Sequence, residues 1–496
     1  MIKGKLSKLC GDFTGYLTVY AALILVFLLS LFLTVLEGVR VNTIQLESEV
    51  IADIGLDSVL AEYHRELWNQ YGMLWIDTSY GNQSPDIENT EAHLLGYLEK
   101  NCDMEDVLLG QYIYRDFLGL ETETVEINEV ALATDEDGRY FRSQAVEVVK
   151  SETGISLAED VLEWLTIILE NDLDRGRYLE QQIEISYNEM MDYDGISKQV
   201  GKDWITVQVD NPVKILDSFK NKGILHLVLK EDEQVSAAAI DNTTLVSRRS
   251  WRGELNKGNW SVETGAEGII ERLLWQEYLM RYCGRYGHVL NKGALDYQLE
   301  YLIVGNNTDI DNLKGVVYRI SGIREAANAL YLFSDEVKCA EAQTLAMILS
   351  TAMMIPEAEP VIRTIILLVW AYAESLYDVE CLLAGRKVPL IKTEESWHYS
   401  LDGIVEGLFS SEEEGVQTQE EGVFALGYED YLRVLLMLTS LNDQTLRMMD
   451  IVEMDIRQTS GNSNFRLDGC VDRLSAEITI QSTYGYSITM RKRKGY

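Results

Sequence analysis

The sequence predicts a predominantly helical α+β protein, in which one N-terminal transmembrane helix continues into a stalk and then into a helix-rich ectodomain with short β segments. Three observations carry this expectation. Residues 17–36 form twenty consecutive uncharged positions, LTVYAALILVFLLSLFLTVL. Beyond residue 300 apolar residues recur at helical spacing, and the chain holds only 5 prolines, too few for β-modules strung on Pro-rich linkers. Apolar–polar alternation is confined to short segments, chiefly 123–133 and 478–490.

At about 1.5 Å of rise per residue, the uncharged run matches the roughly 30 Å hydrocarbon core of a bilayer. Lys3, Lys5 and Lys8 precede it against a single acidic residue, Asp12. Residues 1–16 are therefore expected as a cytoplasmic tip and the remainder as extracellular, anchored to the cell membrane by one pass at residues 17–36. A cleaved signal peptide is the alternative. Its apolar region would be about 7–15 residues long and close on a small-x-small site, whereas this run passes into Glu37, Gly38, Val39 and Arg40. Val59, Leu60, Tyr63 and Leu67 then share one helical face. Residues 37–78 are expected as a stalk helix, with Gly55 as a bend and Gly72 as its end.

Two parts follow, an α/β part over 79–250 and a helix-rich part with C-terminal strands over 251–496. The stretch SYGNQSPDIEN, residues 79–89, has loop composition. Val125 and Ile127 alternate as in a strand, and Val130 and Leu132 continue with a one-residue offset that predicts a β-bulge. Residues 157–169 read as helix, Ile224 to Leu229 as a short strand, and the stretch 247–265 as a loop and domain seam. Leu313, Val316, Ile320, Ile323, Ala327 and Leu330 step by three and four, as do Tyr431, Val434, Leu435 and Leu438. Ile478 and Ile480, then Tyr484, Tyr486, Ile488 and Met490, close the chain as two alternating segments. The apolar runs 344–355 and 364–373 are each too short to span a bilayer and predict a buried helical hairpin around Pro356 and Pro360. The acidic run 410–421 predicts a solvated loop.

The formal net charge of −37 disfavours nucleic acid and acidic lipid surfaces, because long-range repulsion opposes any approach to them. The same charge serves solubility or a cationic partner. Of the cysteines, Cys10 falls in the cytoplasmic tip; Cys102, Cys283, Cys339, Cys381 and Cys470 have no CxxC spacing and match no zinc site. Buried free thiols packing as small apolar groups are the expectation, with one or two disulfides among these five as the alternative. No phosphate loop, GxGxxG, GxSxG or HExxH occurs. The histidines are scattered, and His226, in an apolar segment, reads as a core residue. Asp192-Tyr-Asp194-Gly195 and Asp309-Ile-Asp311-Asn312 resemble fragments of calcium loops. The first lacks the twelfth-position carboxylate and the second the turn glycine, so turn and capping roles explain both. Arg363, Trp370 and Glu374 fall on one helical face. A charge within an apolar helix must be paired, and Arg363 or Arg324 is the expected partner of Glu374. No catalytic, cofactor-binding or metal residue is assigned.

The residues Gly15 to Leu23 (GYLTVYAAL) and Phe32 to Arg40 (FLTVLEGVR) resemble the N-terminus of TadE- and TadG-type pseudopilins of tight-adherence (Flp) pilus systems. Those pseudopilins carry Glu five residues after the cleaved glycine; counted from Gly15, that position here is Tyr20. Further stretches are similar to a membrane-anchored family of unknown function from Gram-positive bacteria, encoded beside such pilus genes: 56–77, 299–332, 370–392 and 428–438. The resemblance implies an extracytoplasmic component associated with a Flp-type pilus or its assembly, acting through contacts with pilus or envelope proteins. It implies no enzyme and no cofactor. The alternative is an extracytoplasmic cell-wall-directed hydrolase using carboxylates.

Overall fold

A computed structural model describes residues 3–81, 84–103, 118–153, 224–229, 235–249, 260, 268–290, 293–401 and 425–496, with a small hairpin and isolated residues between 181 and 206. The fold is α+β and mainly helical, as the sequence predicts. The expected helix 157–169, the acidic loop 410–421 and nearly all of the seam 247–265 lie outside the described residues.

The first helix, α1 (Lys3–Leu60), is continuous through the uncharged run. From Tyr16 to Leu36 every side chain is exposed. Above that level Ile44, Ser48, Ile51, Ala52, Gly55, Leu56 and Val59 are buried, one stripe at intervals of three and four. Burying each large apolar member contributes about 1.5–3 kcal/mol. The stalk is thus packed on the body along most of its length. The helix does not bend at Gly55, which serves close approach instead: a Cβ there would stand 2.7 Å from Leu98 Cδ2 of α3 (Ile87–Cys102). The break falls at residues 61–64, before α2 (Arg65–Tyr71). His64 caps α2, its ring accepting from Leu67 N, and Gly72 ends it at φ +68°, the left-handed conformation that a helix terminus favours in glycine.

The sheet against α1 joins distant segments. β1 (Ile76–Asp77) and β2 (Leu120–Leu132) pair antiparallel with the later strand Cys470–Ser482. The register shifts between Ile127 and Glu129, so Val125, Ile127, Val130 and Leu132 stay on the inner face. That is the bulge the alternation predicts. Between these strands in the chain come α4 (Asp135–Thr153), the hairpin β3 (Ser197–Val200) and β4 (Asp203–Thr206), and α5 (Ile224–Val228). The segment Ile224 to Leu229 is helical, not a strand; Ile224 and Val228, one turn apart, are buried, and His226 points outward, exposed and not in the core.

The helical body comprises α6 (Ile269–Tyr282), α7 (Gln298–Val304), α8 (Asp309–Ser334), α9 (Glu336–Ala352) and α10 (Glu359–Leu383). After these come β5 (Val388–Pro389), paired with β6 (Ala425–Leu426), then α11 (Tyr428–Leu438) and α12 (Leu441–Arg457). The predicted stripe of α8 buries Leu313, Val316, Ile320 and Ala327, and that of α11 buries Tyr431, Val434 and Leu435 while Leu438 faces solvent. The chain closes with β7 (Cys470–Ser482) and β8 (Ser487–Gly495), a hairpin in continuous register. No disulfide joins the described cysteines, and Cys102, Cys283, Cys381 and Cys470 are buried in the core.

α9 and α10 form the expected hairpin, turned by a 3-10 segment at Pro356–Ala358. Its burial is one-sided, however. Trp370, Leu367 and Ala371 of α10 are in the core, whereas α9 buries only Ala342, Ala346 and Ser350.

Candidate functional site

Glu374 and Asp378 lie one turn apart on α10, facing Arg324 and Asn328, one turn apart on α8. After α10 the chain reverses at Gly385 (φ +77°) and brings Lys392 back over the same helix face. Lys392 Nζ stands 2.6 Å from Glu374 Oε1 and 2.7 Å from Asp378 Oδ1. Arg324 Nε donates to Asp378 Oδ2 at 3.0 Å, and Asn328 Nδ2 donates to the same oxygen at 3.0 Å. Arg324 also donates to Leu390 O and Tyr431 Oη. Two cations and two carboxylates thus cancel within one buried chain, none of the four exposed by more than 3 %.

The expected partners of Glu374 are corrected by this geometry. Arg363 shares its helix face but sits three turns away, about 16 Å along the axis, and donates to Gln343. Arg324 takes Asp378 instead. Lys392 is the true partner, hidden in the sequence because only the tertiary reversal after Gly385 brings it near.

Glu374 also accepts from the backbone N–H groups of His398 at 3.0 Å and Tyr399 at 3.0 Å. It therefore ties the segment 392–399 to the hairpin. Around it Trp370 and Trp397 both donate to Tyr399 O at 2.8 Å, and His398 stacks on Tyr377 with ring centres 3.7 Å apart. Burial pushes the Glu374 carboxyl up against the opposing pull of Lys392. Burial would also raise Asp378, but Arg324 and Lys392 hold it below the usual carboxylate range. Both Glu374 oxygens are engaged and enclosed. Such a carboxylate orders a loop; it has no face on which to meet a substrate.

A second set has no counterpart among the sequence expectations. Three carboxylates in the core accept from tyrosine hydroxyls: Glu300 from Tyr428 at 2.7 Å, Asp455 from Tyr71 at 2.6 Å and Asp450 from Tyr301 at 2.9 Å. Burial pushes Glu300 up to about 7 and Asp455 up to about 6. Asp455 further accepts from Gln298 Nε2 and Ala294 N, so it joins α2, α7 and α12. The available signal was the acidic trio Asp450, Glu453 and Asp455 amid the apolar residues of α12. A shallow groove bordered by Glu62, His64, Tyr80 and Asn462 touches neither set.

Asp309 and Asp311 do not form a cation loop. Asp309 is buried and accepts from Ser236 Oγ, Asp296 N and Tyr297 N, while Asp311 bonds the capping Thr308 at 2.6 Å. The pair starts α8. Asp192 and Asp194 lie outside the described residues. Among the described residues no group of three or more His, Cys, Asp or Glu is arranged to hold a metal ion.

Two stretches of apolar surface stand out among the described residues. One is α1 over residues 16–36, long and apolar enough to cross a membrane. The other is the outer face of α9 and the hairpin tip, where Val337, Met347, Ile348, Leu349, Met353 and Met354 are all exposed. Residues 202–482 match a family described as a family of unknown function, DUF5702. No curated protein and no solved structure matches the chain.

Proposed function

The chain belongs to the DUF5702 family of unknown function, and we propose that it is a single-pass membrane-anchored component that works outside the cell membrane through protein contacts, in association with a tight-adherence-type pilus or its assembly. The observation that carries this reading is the outer face of α9. In a chain of net charge −37, Thr344, Met347, Ile348 and Thr351 form an exposed uncharged stripe, and Ile348 alone is 60 % exposed. Contiguous apolar surface of this kind marks interaction sites, and methionines adapt to varied partners. The lysines before the uncharged run support an inward N-terminus, and the pseudopilin-like residues 15–40 support the pilus association.

The test is co-purification. The protein, extracted from its own membranes in mild detergent, is expected to bring pilin-like proteins of the tight-adherence type with it. The double substitution Met347→Glu, Ile348→Glu is expected to lose them at unchanged yield of folded protein. Absence of pilus proteins from the wild-type preparation would remove the pilus association. Equal recovery with the double variant would refute the role of α9.

A further inference from the structure

Glu37 is the first charged residue after the uncharged run of α1, and the C-terminal hairpin is fastened there. Tyr486 Oη donates to Glu37 Oε1 at 2.6 Å. Arg40, paired with Glu37 at 2.8 Å, places its guanidinium 4.2 Å from the centre of the Tyr484 ring. From this level β8 climbs beside α1. Lys492 meets Asp53, Lys494 meets Asp57, and Tyr496 Oη donates to Leu60 O at the helix end. The two paths agree in length: Glu37 to Leu60 rises about 35 Å as helix, and Tyr486 to Tyr496 covers about 33 Å as strand. Strand and helix are therefore close to parallel over the whole height of the sheet.

This arrangement fixes where the hairpin turn must lie if α1 crosses the membrane. Arg40 stands about 6 Å above Leu36 along the helix axis, and the polar layer on each side of the hydrocarbon core is about 5–7 Å thick. The Tyr484 ring packs on Arg40 at that height. It remains 48 % exposed, at the tip of a turn closed by Gly485 at φ +83°. An amphipathic ring at headgroup level is the usual interfacial anchor of membrane proteins. We propose that the Tyr484–Gly485 turn sits in the lipid headgroup layer, so that the sheet stands directly on the bilayer with β8 along the membrane normal. The inference rests on reading α1 as a membrane span.

Benzoylphenylalanine, a photo-crosslinking side chain, is placed singly at positions 484, 27 and 68 of the full-length protein in vesicles of phosphatidylethanolamine and phosphatidylglycerol. Phe27 lies mid-run in the anchor. Trp68 is exposed and lies in α2, after the end of α1 at Leu60, which stands about 36 Å above Leu36 by helix rise. Lipid adducts are expected at positions 27 and 484, each at least tenfold above position 68. Adducts at 27 with none above background at 484 would overturn the headgroup contact and leave the anchor standing. No lipid adduct at 27 would overturn the membrane span itself and the turn's position with it.

Discussion

Glu300→Gln separates a buried neutral carboxyl from an ordinary charged one. Glu300 is fully enclosed in α7. Its Oε1 accepts from Tyr286 N at 3.0 Å and Tyr428 Oη at 2.7 Å, while Oε2 has no hydrogen-bond partner among the described residues. Burial raises the group from 4.5 to about 7. Between those values the folded protein holds a proton that the unfolded chain has released, so stability falls as pH rises through the window. Above it the cost is complete at about 3 kcal/mol, from roughly 1.4 kcal/mol for each pH unit that separates the two values. Glutamine keeps the acceptor at Oε1 and does not titrate. In urea titrations of the detergent-solubilised protein followed by tryptophan fluorescence, the stability of the variant relative to wild type should therefore grow by about 2.5 kcal/mol from pH 5 to pH 8. Asp455, raised in the same direction, is common to both proteins and cancels in the difference. A difference that stays constant with pH would refute the reasoning.

Lys392→Met should destabilise more than Glu374→Gln. It leaves Glu374 without a cation and Asp378 with Arg324 alone, a loss on the order of 3–5 kcal/mol. The glutamine of the second variant can still accept from His398 N and Tyr399 N, so melting temperatures in the reverse order would contradict the network. Gly55→Val should cost about 1–3 kcal/mol by overpacking α1 against Leu98, read as a lower urea midpoint, and an unchanged midpoint would mean that α1 and α3 are not in close contact. Protease added to intact protoplasts should digest the body and leave a small membrane-bound fragment. Full protection would reverse the proposed orientation, and a soluble product lacking residues 1–36 would indicate cleavage.

Elements whose residues carry their own periodicity are legible in the sequence. The uncharged run, the stripe Leu313 to Ala327 and the bulge between Ile127 and Val130 all follow from spacing within a few turns or strand positions, whereas the stalk helix ends at Leu60 and the expected end at Gly72 closes the separate α2. Ile224 to Leu229 misleads because six residues of apolar composition satisfy either period, and the outward His226 is the only mark of the helix. The apolar run 344–355 reads as buried because composition does not say which side finds a partner. The pairing of β2 with β7 and of Glu374 with Lys392 depends on chain reversals that no local pattern encodes. The tyrosine–carboxylate pairs escape sequence reasoning for the same reason: Tyr428 and Glu300 are distant in sequence, and each alone looks like a surface residue.

The proposed role of the α9 face in pilus assembly is open to direct test in cells. Surface pili can be counted by electron microscopy where the chromosomal copy carries Met347→Glu and Ile348→Glu, with the protein's membrane level checked by immunoblot. Loss of most surface pili at wild-type protein level is the predicted result. Normal piliation in cells that hold the variant at wild-type level would contradict it.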